Sequence, residues 1–206
     1  MATLPGEDWF ADLRPQPRLM TADIYEGLDE DVATSIEVVD GYVVYCESPS
    51  REHQRAARRL ANLIEQHSRD YSRRTGECLS VDLDVDLRLR DLPLSNRRPD
   101  VVLYRCLEAN EKLRPTHTLL VIEIVSPGSE TADTADKLAE YAKAGIPHYW
   151  IVWIAPDGIT TVERYTLDRA TGSYKHVSTL MNEEEGDLPS VLNPIPMTID
   201  WEELAF

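Results

Sequence analysis

The sequence predicts a single domain of the mixed α/β class, with both parallel and antiparallel strands. A strand–helix–strand unit between residues 118 and 154 supports this class, because such units place their two strands in parallel with a right-handed crossover. The segments after this unit alternate with short turns and indicate an added antiparallel hairpin. The chain has 206 residues, and a domain of this size buries about 70% of the surface of its unfolded chain.

Composition excludes several classes of protein. Hydrophobic residues make up 42% of the chain, which is too many for a disordered protein. No apolar run approaches the ~18 residues that span a membrane, and the start of the chain does not resemble a signal peptide, so we expect a cytoplasmic protein without a membrane partner. The cysteines are far apart in sequence, which predicts buried free thiols rather than a disulfide framework or a metal site: Cys46, Cys78 and Cys106.

Charge is distributed unevenly along the chain. The net charge of −16 argues against a general coat for nucleic acid, since Lys and Arg dominate phosphate binding. Residues 51–74 nevertheless hold seven arginines and three acidic residues. This segment is either a local face that binds anions or a solvated helix face that forms ion pairs with an acidic body.

The N-terminal part is predicted to hold an arm, a short helix and a hairpin. Residues 1–20 carry three prolines without periodicity and are expected to form an irregular arm, so the domain itself covers residues 21–206. Thr21 caps a short helix. Strands 36–39 and 42–45 follow, and the Asp40-Gly41 pair between them favours a two-residue type I′ turn.

A long helix and an alternating segment come next. Ser50 caps the helix, and its buried stripe consists of apolar residues at helical spacing: Ala56, Ala57, Leu60, Leu63 and Ile64. Residues 79–90 alternate between apolar and polar, which predicts one strand, or two strands joined by a bend, with a solvated face. Three aspartates on that face are interpreted as charges that favour solubility rather than as metal ligands: Asp82, Asp84 and Asp86.

The strand–helix–strand unit places a helix over residues 131–144, between strands 119–125 and 149–154. The buried face of this helix is predicted to consist of Ala135, Leu138, Ala139 and Ala142. Asp133, Lys137 and Glu140 fall together on the opposite face. A hairpin over residues 159–180 and an irregular tail over residues 188–206 complete the domain.

Glu123 is the residue that packing explains least well. It lies within the apolar run Leu119 to Val125, which is typical of a strand buried on both faces. An isolated charge there costs several kcal/mol, so we expect a cation, a partner or a raised pKa. Asp100 opens a second apolar strand, Val101 to Tyr104, and is a natural companion.

Two carboxylates and a lysine on the adjoining helix suit the hydrolysis of a phosphodiester. Asp100 and Glu123 can hold a Mg²⁺ ion that keeps several waters. Lys137 can then stabilise charge on the phosphate or orient the attacking water. An alternative for Lys137 is an ion pair at the surface with Asp133, four residues earlier.

The order and spacing of these motifs resemble the Uma-two family, a bacterial group of restriction-endonuclease-like proteins in the PD-(D/E)xK nuclease superfamily. The resemblance covers roughly residues 20 to 206. It is carried by short motifs in sequence order: the hairpin at 36–41, Ser-Pro-Ser-Arg-Glu-His-Gln at 48–54, Arg-Pro-Asp-Val at 98–101, Ile-Glu-Ile-Val-Ser-Pro at 122–127, Asp133 with Lys137, and Tyr-Ala-Lys-Ala-Gly-Ile-Pro-His-Tyr-Trp at 141–150.

The resemblance implies a restriction-endonuclease-like fold, which is a central mixed β-sheet flanked by helices, and a metal-dependent endonuclease that acts on DNA. Asp100 and Glu123 correspond to the two metal ligands, with Mg²⁺ as the expected cofactor and Mn²⁺ as another candidate. The third motif position is Val125 rather than lysine, and Lys137 matches a lysine displaced to the next helix. Glu52 and His53 match the first-helix signature and are expected to add a metal ligand or a water contact.

The same resemblance leads to expectations about partners. Arg51, Arg55 and Arg98 are expected to approach DNA phosphates, and a homodimer is expected because nucleases that cut both strands often pair their sites about a two-fold axis. The alternative is a catalytically inactive protein that keeps the fold and serves as a binding or regulatory module. The acidic surface and the missing third motif residue favour that alternative, whereas the Asp, Glu and Lys set favours the enzyme.

Overall fold

The computed structural model describes residues 18–46, 48–125, 132–182 and 188–206. Most of the predicted N-terminal arm and the side chain of Asp133 lie outside this part. The helices are α1 (Ala22–Glu26), α2 (Glu30–Ala33), α3 (Arg51–Thr75), α4 (Ala132–Ala144) and α5 (Trp201–Leu204). The strands are β1 (Ile36–Val39), β2 (Tyr42–Tyr45), β3 (Leu79–Asp82), β4 (Leu87–Asp91), β5 (Leu94–Arg97), β6 (Val101–Arg105), β7 (Thr118–Val125), β8 (His148–Ala155), β9 (Gly158–Asp168), β10 (Ser173–Met181), β11 (Ser190–Val191) and β12 (Met197–Thr198).

A six-stranded mixed sheet forms the centre of the fold, in the order β10-β9-β8-β7-β6-β3. Strands β7 and β8 are parallel, with Glu123 opposite Ile151, and α4 connects them. The other pairs of this sheet are antiparallel. The predicted class is therefore confirmed, and the added hairpin of β9 and β10 extends the central sheet instead of standing apart.

The long helix α3 and the shorter α4 cover opposite faces of the central sheet. Leu60 and Ile64 of α3 belong to the same buried cluster as Ile122 and Trp150, and so do residues of the C-terminal tail: Val191, Ile195, Ile199 and Trp201. Tyr141 of α4 lies in the second cluster, with Val121 and Tyr149. Apolar side chains alternate between the two faces along β7, which explains why the run Leu119 to Val125 is so uniformly apolar.

A second sheet, in the order β2-β1-β5-β4, has its own small core around Tyr25 and Val38. The turn between β1 and β2 has positive φ at Asp40 (51°) and Gly41 (86°), as a type I′ turn requires. Ser50 caps α3 by accepting the backbone N–H of His53 at 3.1 Å. Both local predictions are confirmed. No helix in the described residues has the length and apolar character needed to cross a membrane.

The predicted solvated face of residues 79–90 is wrong in its second half. The chain bends at Asp84 (φ 51°) and leaves the central sheet for the smaller one. Beyond the bend, Asp86 accepts hydrogen bonds from the Tyr25 hydroxyl at 2.9 Å and from Arg98 at 2.8 Å. Arg88 is 4% exposed. Helix α1 supplies polar partners for Asp86 and Arg88. In this half of the segment, polar residues are therefore not the solvated ones, and the alternation of residue types does not predict exposure.

The prediction of three buried free thiols is also wrong. Cys78 and Cys106 form a disulfide, and Cys46 is an exposed free cysteine. The two partners are 28 residues apart in sequence. They become neighbours because β3 and β6 pair in antiparallel fashion, with Leu79 opposite Arg105. Sequence spacing could not predict this pair without that strand pairing.

Helix α4 buries only part of the face that its apolar pattern predicts. Ala142 is buried and Leu138 packs against the second cluster, as predicted, whereas Ala135 and Ala139 are exposed. Lys137 has 13% of its side chain exposed and Glu140 has 26%. Two small alanines gain little from burial, whereas charged groups beneath the helix gain close partners. This polar contact surface determines the geometry of the candidate site.

Candidate active site

Two adjacent strands bring Asp100 and Glu123 to the same end of the central sheet. Asp100 directly precedes β6, and β6 pairs with β7 so that Val101 lies opposite Ile122. Continuing this antiparallel register by one residue places Asp100 opposite Glu123. Asp100 Oδ2 accepts the backbone N–H of Ile124 at 2.6 Å, which fixes the carboxylate against β7.

Glu123 lies between two residues of α4. Its Oε2 is 3.0 Å from Lys137 Nζ, and its Oε1 accepts a 2.7 Å hydrogen bond from the Tyr141 hydroxyl. Burial and the nearby Asp100 charge raise the pKa of Glu123 to about 7, although Lys137 and Tyr141 favour the ionised form. Glu123 thus has hydrogen-bonding partners and a raised pKa, both of which the sequence led us to expect for a carboxyl in this strand.

His53 reaches the site from the first turn of α3. Its Nε2 is 2.8 Å from Asp100 Oδ1, which places an imidazole on one carboxylate while a lysine lies on the other. Burial opposes protonation of His53, but the hydrogen bond to Asp100 and the charges of Asp100 and Glu123 outweigh it and raise its pKa. Glu52 lies beside His53 and is partly exposed, at the acidic first turn of the helix.

Lys137 belongs to the site by position. Lys137 turns toward the sheet and contacts Glu123. Its ammonium group is therefore close enough to act beside the two carboxylates. The Asp133 side chain lies outside the described residues, so the alternative ion pair between Lys137 and Asp133 stays a prediction.

A buried network of charges holds α4 near the site. Arg97 at the end of β5 forms two parallel hydrogen bonds with Glu140 of α4, both 2.8 Å long. It also donates to Glu37 of β1 at 2.7 Å. Glu37 is 5% exposed and Arg97 is 3% exposed. Burial opposes a charge on Arg97, but Glu140 and Glu37 together raise its pKa. The guanidinium thus bridges the smaller sheet and the helix that carries Lys137.

Sequence reasoning missed four polar residues around the site: Glu37, Arg97, Glu140 and Tyr141. A signal existed for Glu37, because it is a carboxylate within the apolar strand Ile36–Val39, as Glu123 is within β7. Tyr141 lies four residues after Lys137 and so shares its helix face. Arg97 and Glu140 gave no local signal, since their pairing depends on how the smaller sheet and α4 meet.

The arginines expected to approach phosphates divide into two groups. Arg51 and Arg55 are exposed on α3. Arg98 has only 9% of its side chain exposed and pairs with Asp84 and Asp86. The structure therefore leaves Arg51 and Arg55 accessible to a partner, whereas Arg98 is committed to the protein.

Asp100 and Glu123 are the carboxylates at the centre of the site. Among the described residues, no group of three or more His, Cys, Asp or Glu side chains is arranged to hold a metal ion. Each carboxylate oxygen already accepts one hydrogen bond but retains a second lone pair. The pair can therefore offer one or two oxygens to a divalent cation, with water or substrate completing the coordination.

Comparison with known proteins places this geometry in context. A family model described as "Uma2: Putative restriction endonuclease" matches residues 23–201. The crystal structure of a protein from Anabaena variabilis, titled a "putative nuclease belonging to DUF820", is similar in fold, with a TM-score of 0.57 and 18% sequence identity. The match covers 84% of this chain and 89% of that chain. A comparison with curated proteins gave no match.

Proposed function

Because the chain belongs to the Uma2 family, we propose that it is a metal-dependent nuclease that hydrolyses phosphodiester bonds of DNA. The observation that carries the proposal is the meeting of Asp100, Glu123 and Lys137 at one end of the central sheet. Two carboxylates and an ammonium group are the side chains that this chemistry needs. The fold of the Anabaena variabilis protein supports the architecture but not the activity.

Asp100 and Glu123 are the residues that would hold the metal, and their chemistry fits Mg²⁺ or Mn²⁺. Mg²⁺ is typically bound through one or two carboxylates while it keeps several waters, so a site with two protein carboxylates is sufficient. The buried carboxyl of Glu123 favours a cation nearby, since burial penalises its negative charge. When bound, the ion lowers the pKa of water and offsets charge on the phosphate.

The protein's own side chains orient this site. Tyr141 and Lys137 hold the two oxygens of Glu123, so its carboxylate cannot rotate freely. The Ile124 N–H and His53 hold the two oxygens of Asp100 in the same way. Lys137 is the group that stabilises charge developing on the phosphate or orients the attacking water. Glu52 lies in the first turn of α3 beside His53 and is partly exposed, so it is a further candidate for a water contact.

Cleavage of supercoiled plasmid with Mg²⁺ or Mn²⁺ tests the proposal. We expect metal-dependent nicking that EDTA abolishes and that Asp100→Asn, Glu123→Gln and Lys137→Met each reduce by at least about 100-fold. Asp136→Asn and Lys143→Met are matched controls, because both residues lie on exposed positions of α4 and their removal changes the same charges.

The outcomes separate the two functions that the sequence leaves open. If only the carboxylate variants lose activity, the metal site stands and Lys137 has a structural role. If the wild-type protein cuts no DNA with either metal, the nuclease proposal fails and a binding or regulatory module becomes the better explanation. Sedimentation velocity would test the expected homodimer independently of cleavage.

A further inference from the structure

Strand β2 forms an exposed edge of the smaller sheet. It stands at one end of the order β2-β1-β5-β4, and β1 is its only strand partner among the described residues. Its four residues are uncharged and all exposed: Tyr42 at 55%, Val43 at 38%, Val44 at 40% and Tyr45 at 81%. An edge strand of this kind offers backbone hydrogen-bonding groups and apolar side chains to a further strand. We call these four residues the β2 edge.

The other described edges of the two larger sheets are protected against such pairing. Strand β4 carries Arg88 and Asp91, and a register shift interrupts its ladder. Strand β10 carries Lys175 and has a register shift of its own. Strand β3 carries Asp82 and lies beside α3. Charges and bulges are the usual means by which an edge avoids pairing. The β2 edge, built from tyrosines and valines, is therefore the edge best suited to bind another strand.

The hairpin geometry determines which backbone groups of the β2 edge point outward. A two-residue turn makes Tyr42 hydrogen-bond to β1, and hydrogen-bonded pairs then alternate along the antiparallel ladder. Cys46 donates its N–H to the Ser35 carbonyl at 3.0 Å, in agreement with this alternation. The N–H and C=O groups of Val43 and Tyr45 therefore point away from β1, toward the open side of the strand.

A second copy of the chain is the partner that these groups fit. Two β2 edges can pair in antiparallel fashion about a two-fold axis through Val44, which sets Val43 opposite Tyr45 of the second copy. About four backbone hydrogen bonds form, because Val43 and Tyr45 of each copy donate one apiece. The net charge of −16 makes two copies repel each other, but no charged residue lies between Asp40 and Glu47. The β2 edge is thus a place where two acidic chains can approach closely.

Apolar surface at both ends of the strand enlarges this contact. A tyrosine carries about 150 to 250 Å² of surface, so the exposed parts of Tyr42 and Tyr45 offer roughly 200 to 340 Å² on each copy. Leu19 lies beside the β1–β2 turn, and Val32 lies beside the other end of β2. Their side chains are 40% and 45% exposed. With the two valines of the strand, they bring the area toward the about 500 Å² per copy that the smallest specific interfaces bury.

We infer that the protein forms a two-fold symmetric dimer in which two β2 edges pair and join the four-stranded smaller sheets into one continuous sheet. This inference goes beyond the proposed hydrolysis and does not depend on it. Val44 lies opposite Glu37 and shares its face of the sheet, and Glu37 contacts Arg97, which holds Glu140 of α4. Paired residues of antiparallel strands share a face. The two copies of α4, and with them the two candidate sites, therefore lie on the same face of the joined sheet.

Sedimentation velocity over a range of protein concentrations measures this dimer directly. Val44→Lys brings two lysines opposite each other, with Cα atoms about 4.5 Å apart across the axis. Val43→Pro removes an outward N–H and leaves the hydrogen bonds to β1 intact. Val177→Lys is the matched control, because Val177 is an exposed valine on β10, which is also an edge strand. Circular dichroism should show that all three variants fold, since the substituted positions are exposed.

We expect the wild-type protein to sediment with twice the mass of one chain. Val44→Lys and Val43→Pro should each raise the dissociation constant of the dimer by at least about 100-fold. The control should change it by less than about threefold. A monomeric wild-type protein, a dimer that either edge variant leaves intact, or equal weakening by Val177→Lys would overturn the inference. None of these results depends on metal or cleavage, so the dimer and the nuclease can fail separately.

Cysteine cross-linking in a Cys46→Ser background tests the register of the two strands. Val44→Cys should form a disulfide between copies, because a Cα separation of about 4.5 Å falls within the disulfide range. Val43→Cys should not, because it faces Tyr45 of the second copy. Cross-linking at position 43 and not at position 44 would overturn this register.

Deletion of residues 1–17 tests whether the start of the chain occupies the β2 edge instead. We expect the full chain and the shortened chain to dimerise with similar dissociation constants. A full chain that is monomeric and a shortened chain that dimerises would assign the edge to the N-terminal segment and overturn the inference.

Discussion

The hydroxyl group of Tyr141 stabilises the folded protein through its contact with Glu123. It is fully buried and donates a 2.7 Å hydrogen bond to Glu123 Oε1. Replacing Tyr141 with Phe keeps the ring but leaves a buried carboxylate oxygen without its donor, so we expect a loss of about 1 to 3 kcal/mol of unfolding free energy. Urea unfolding monitored by circular dichroism would measure it.

Tyr104→Phe is the matched control for this prediction. The Tyr104 hydroxyl also donates to a carboxylate, that of Asp82, but at a partly exposed position. Solvent can replace the lost hydroxyl there, so the expected change is smaller. Equal losses in both variants would argue against a special contribution from the buried Glu123 contact.

His148 gives the protein a dependence on pH that does not involve the candidate site. Burial, together with the nearby positive charge of Arg164, lowers the pKa of His148 to about 4, against about 6.5 in an unfolded chain. The unfolded state therefore binds this proton first as the pH falls. His148 contributes full stability above about pH 6.5, and that contribution decreases progressively toward pH 4.

Replacing His148 with Gln should remove this part of the pH dependence. Since the imidazole is partly exposed, we expect the wild-type protein to lose about 1 to 2 kcal/mol more unfolding free energy than the variant between about pH 7 and pH 5. Urea titrations of both proteins at each pH provide the comparison. The explanation fails if the two proteins lose the same unfolding free energy.

Individual residues of the candidate site differ in how readily sequence identifies them. Glu123 could be selected because a carboxylate within an apolar strand is chemically conspicuous. Tyr141 could not, because a tyrosine on an amphipathic helix is ordinary and its partner lies 18 residues away. Arg98 was assigned to phosphates on the basis of its motif, and its ion pairs with Asp84 and Asp86 depend on a chain bend that sequence does not reveal.

At the scale of elements, α4 is positioned by charge rather than by its alanines. Replacing Arg97 with Met would leave Glu37 and Glu140 without their cation in a buried setting, so we expect a loss of about 3 to 5 kcal/mol of unfolding free energy. Nicking should also decrease, because α4 carries Lys137. Denaturant unfolding and the plasmid assay would measure the two effects.

Arg90→Met provides the comparison for Arg97→Met. Arg90 also pairs with a carboxylate of the smaller sheet, Asp40, but both groups are substantially exposed. Exposed pairs contribute little, so we expect a change below about 1 kcal/mol. Similar losses for the two variants would show that burial of the Arg97 network is not what positions α4.

Elements were predicted well in order and type, and less well in orientation. Helix caps and the type I′ turn at Asp40 depend on neighbouring residues, so the sequence was sufficient for them. The inward face of α4 depends on Glu123 and Arg97, which lie outside the helix. Apolar periodicity predicts that Ala135 and Ala139 are buried, yet both are exposed. The rotation of α4 instead follows the buried charges of Glu123 on β7 and Arg97 on β5, which need partners from the helix.

At the scale of the whole molecule, the disulfide between Cys78 and Cys106 closes a loop of the chain that contains β4, β5 and Asp100. Closing a loop of this length restricts the unfolded chain by about 3 to 4 kcal/mol in the loop-entropy treatment. We expect Cys106→Ser to reduce the unfolding free energy by a similar amount, and dithiothreitol to reduce that of the wild-type protein equally.

Cys46→Ser is the control, since Cys46 is free and exposed. Alkylation of the unreduced, denatured protein should modify one of the three cysteines, as measured by mass spectrometry. Modification of all three would mean that the disulfide is absent in the purified protein. This result matters for the expected cytoplasmic location, because disulfides are rare in that compartment.

The fold class could be predicted, but the division of neighbouring strands between the central sheet and the smaller sheet could not. Local sequence patterns predict the β7-α4-β8 unit, whose two strands form the parallel pair of the central sheet. The separation of β3 from β4 depends on one bend at Asp84 and on the partners available on each side. Such pairing between distant segments leaves no trace in local periodicity.

The two halves of the candidate site differ in how far apart their members lie along the chain. Glu123 contacts Lys137 and Tyr141 over separations of 14 and 18 residues, within one β-α-β unit. The contacts of His53 with Asp100 and of Glu37 with Arg97 span 47 and 60 residues. Closing the longer loops costs more chain entropy. The lysine half can therefore assemble early in folding, and catalytic competence would arrive only when the N-terminal hairpin and helix dock onto a unit that is already formed.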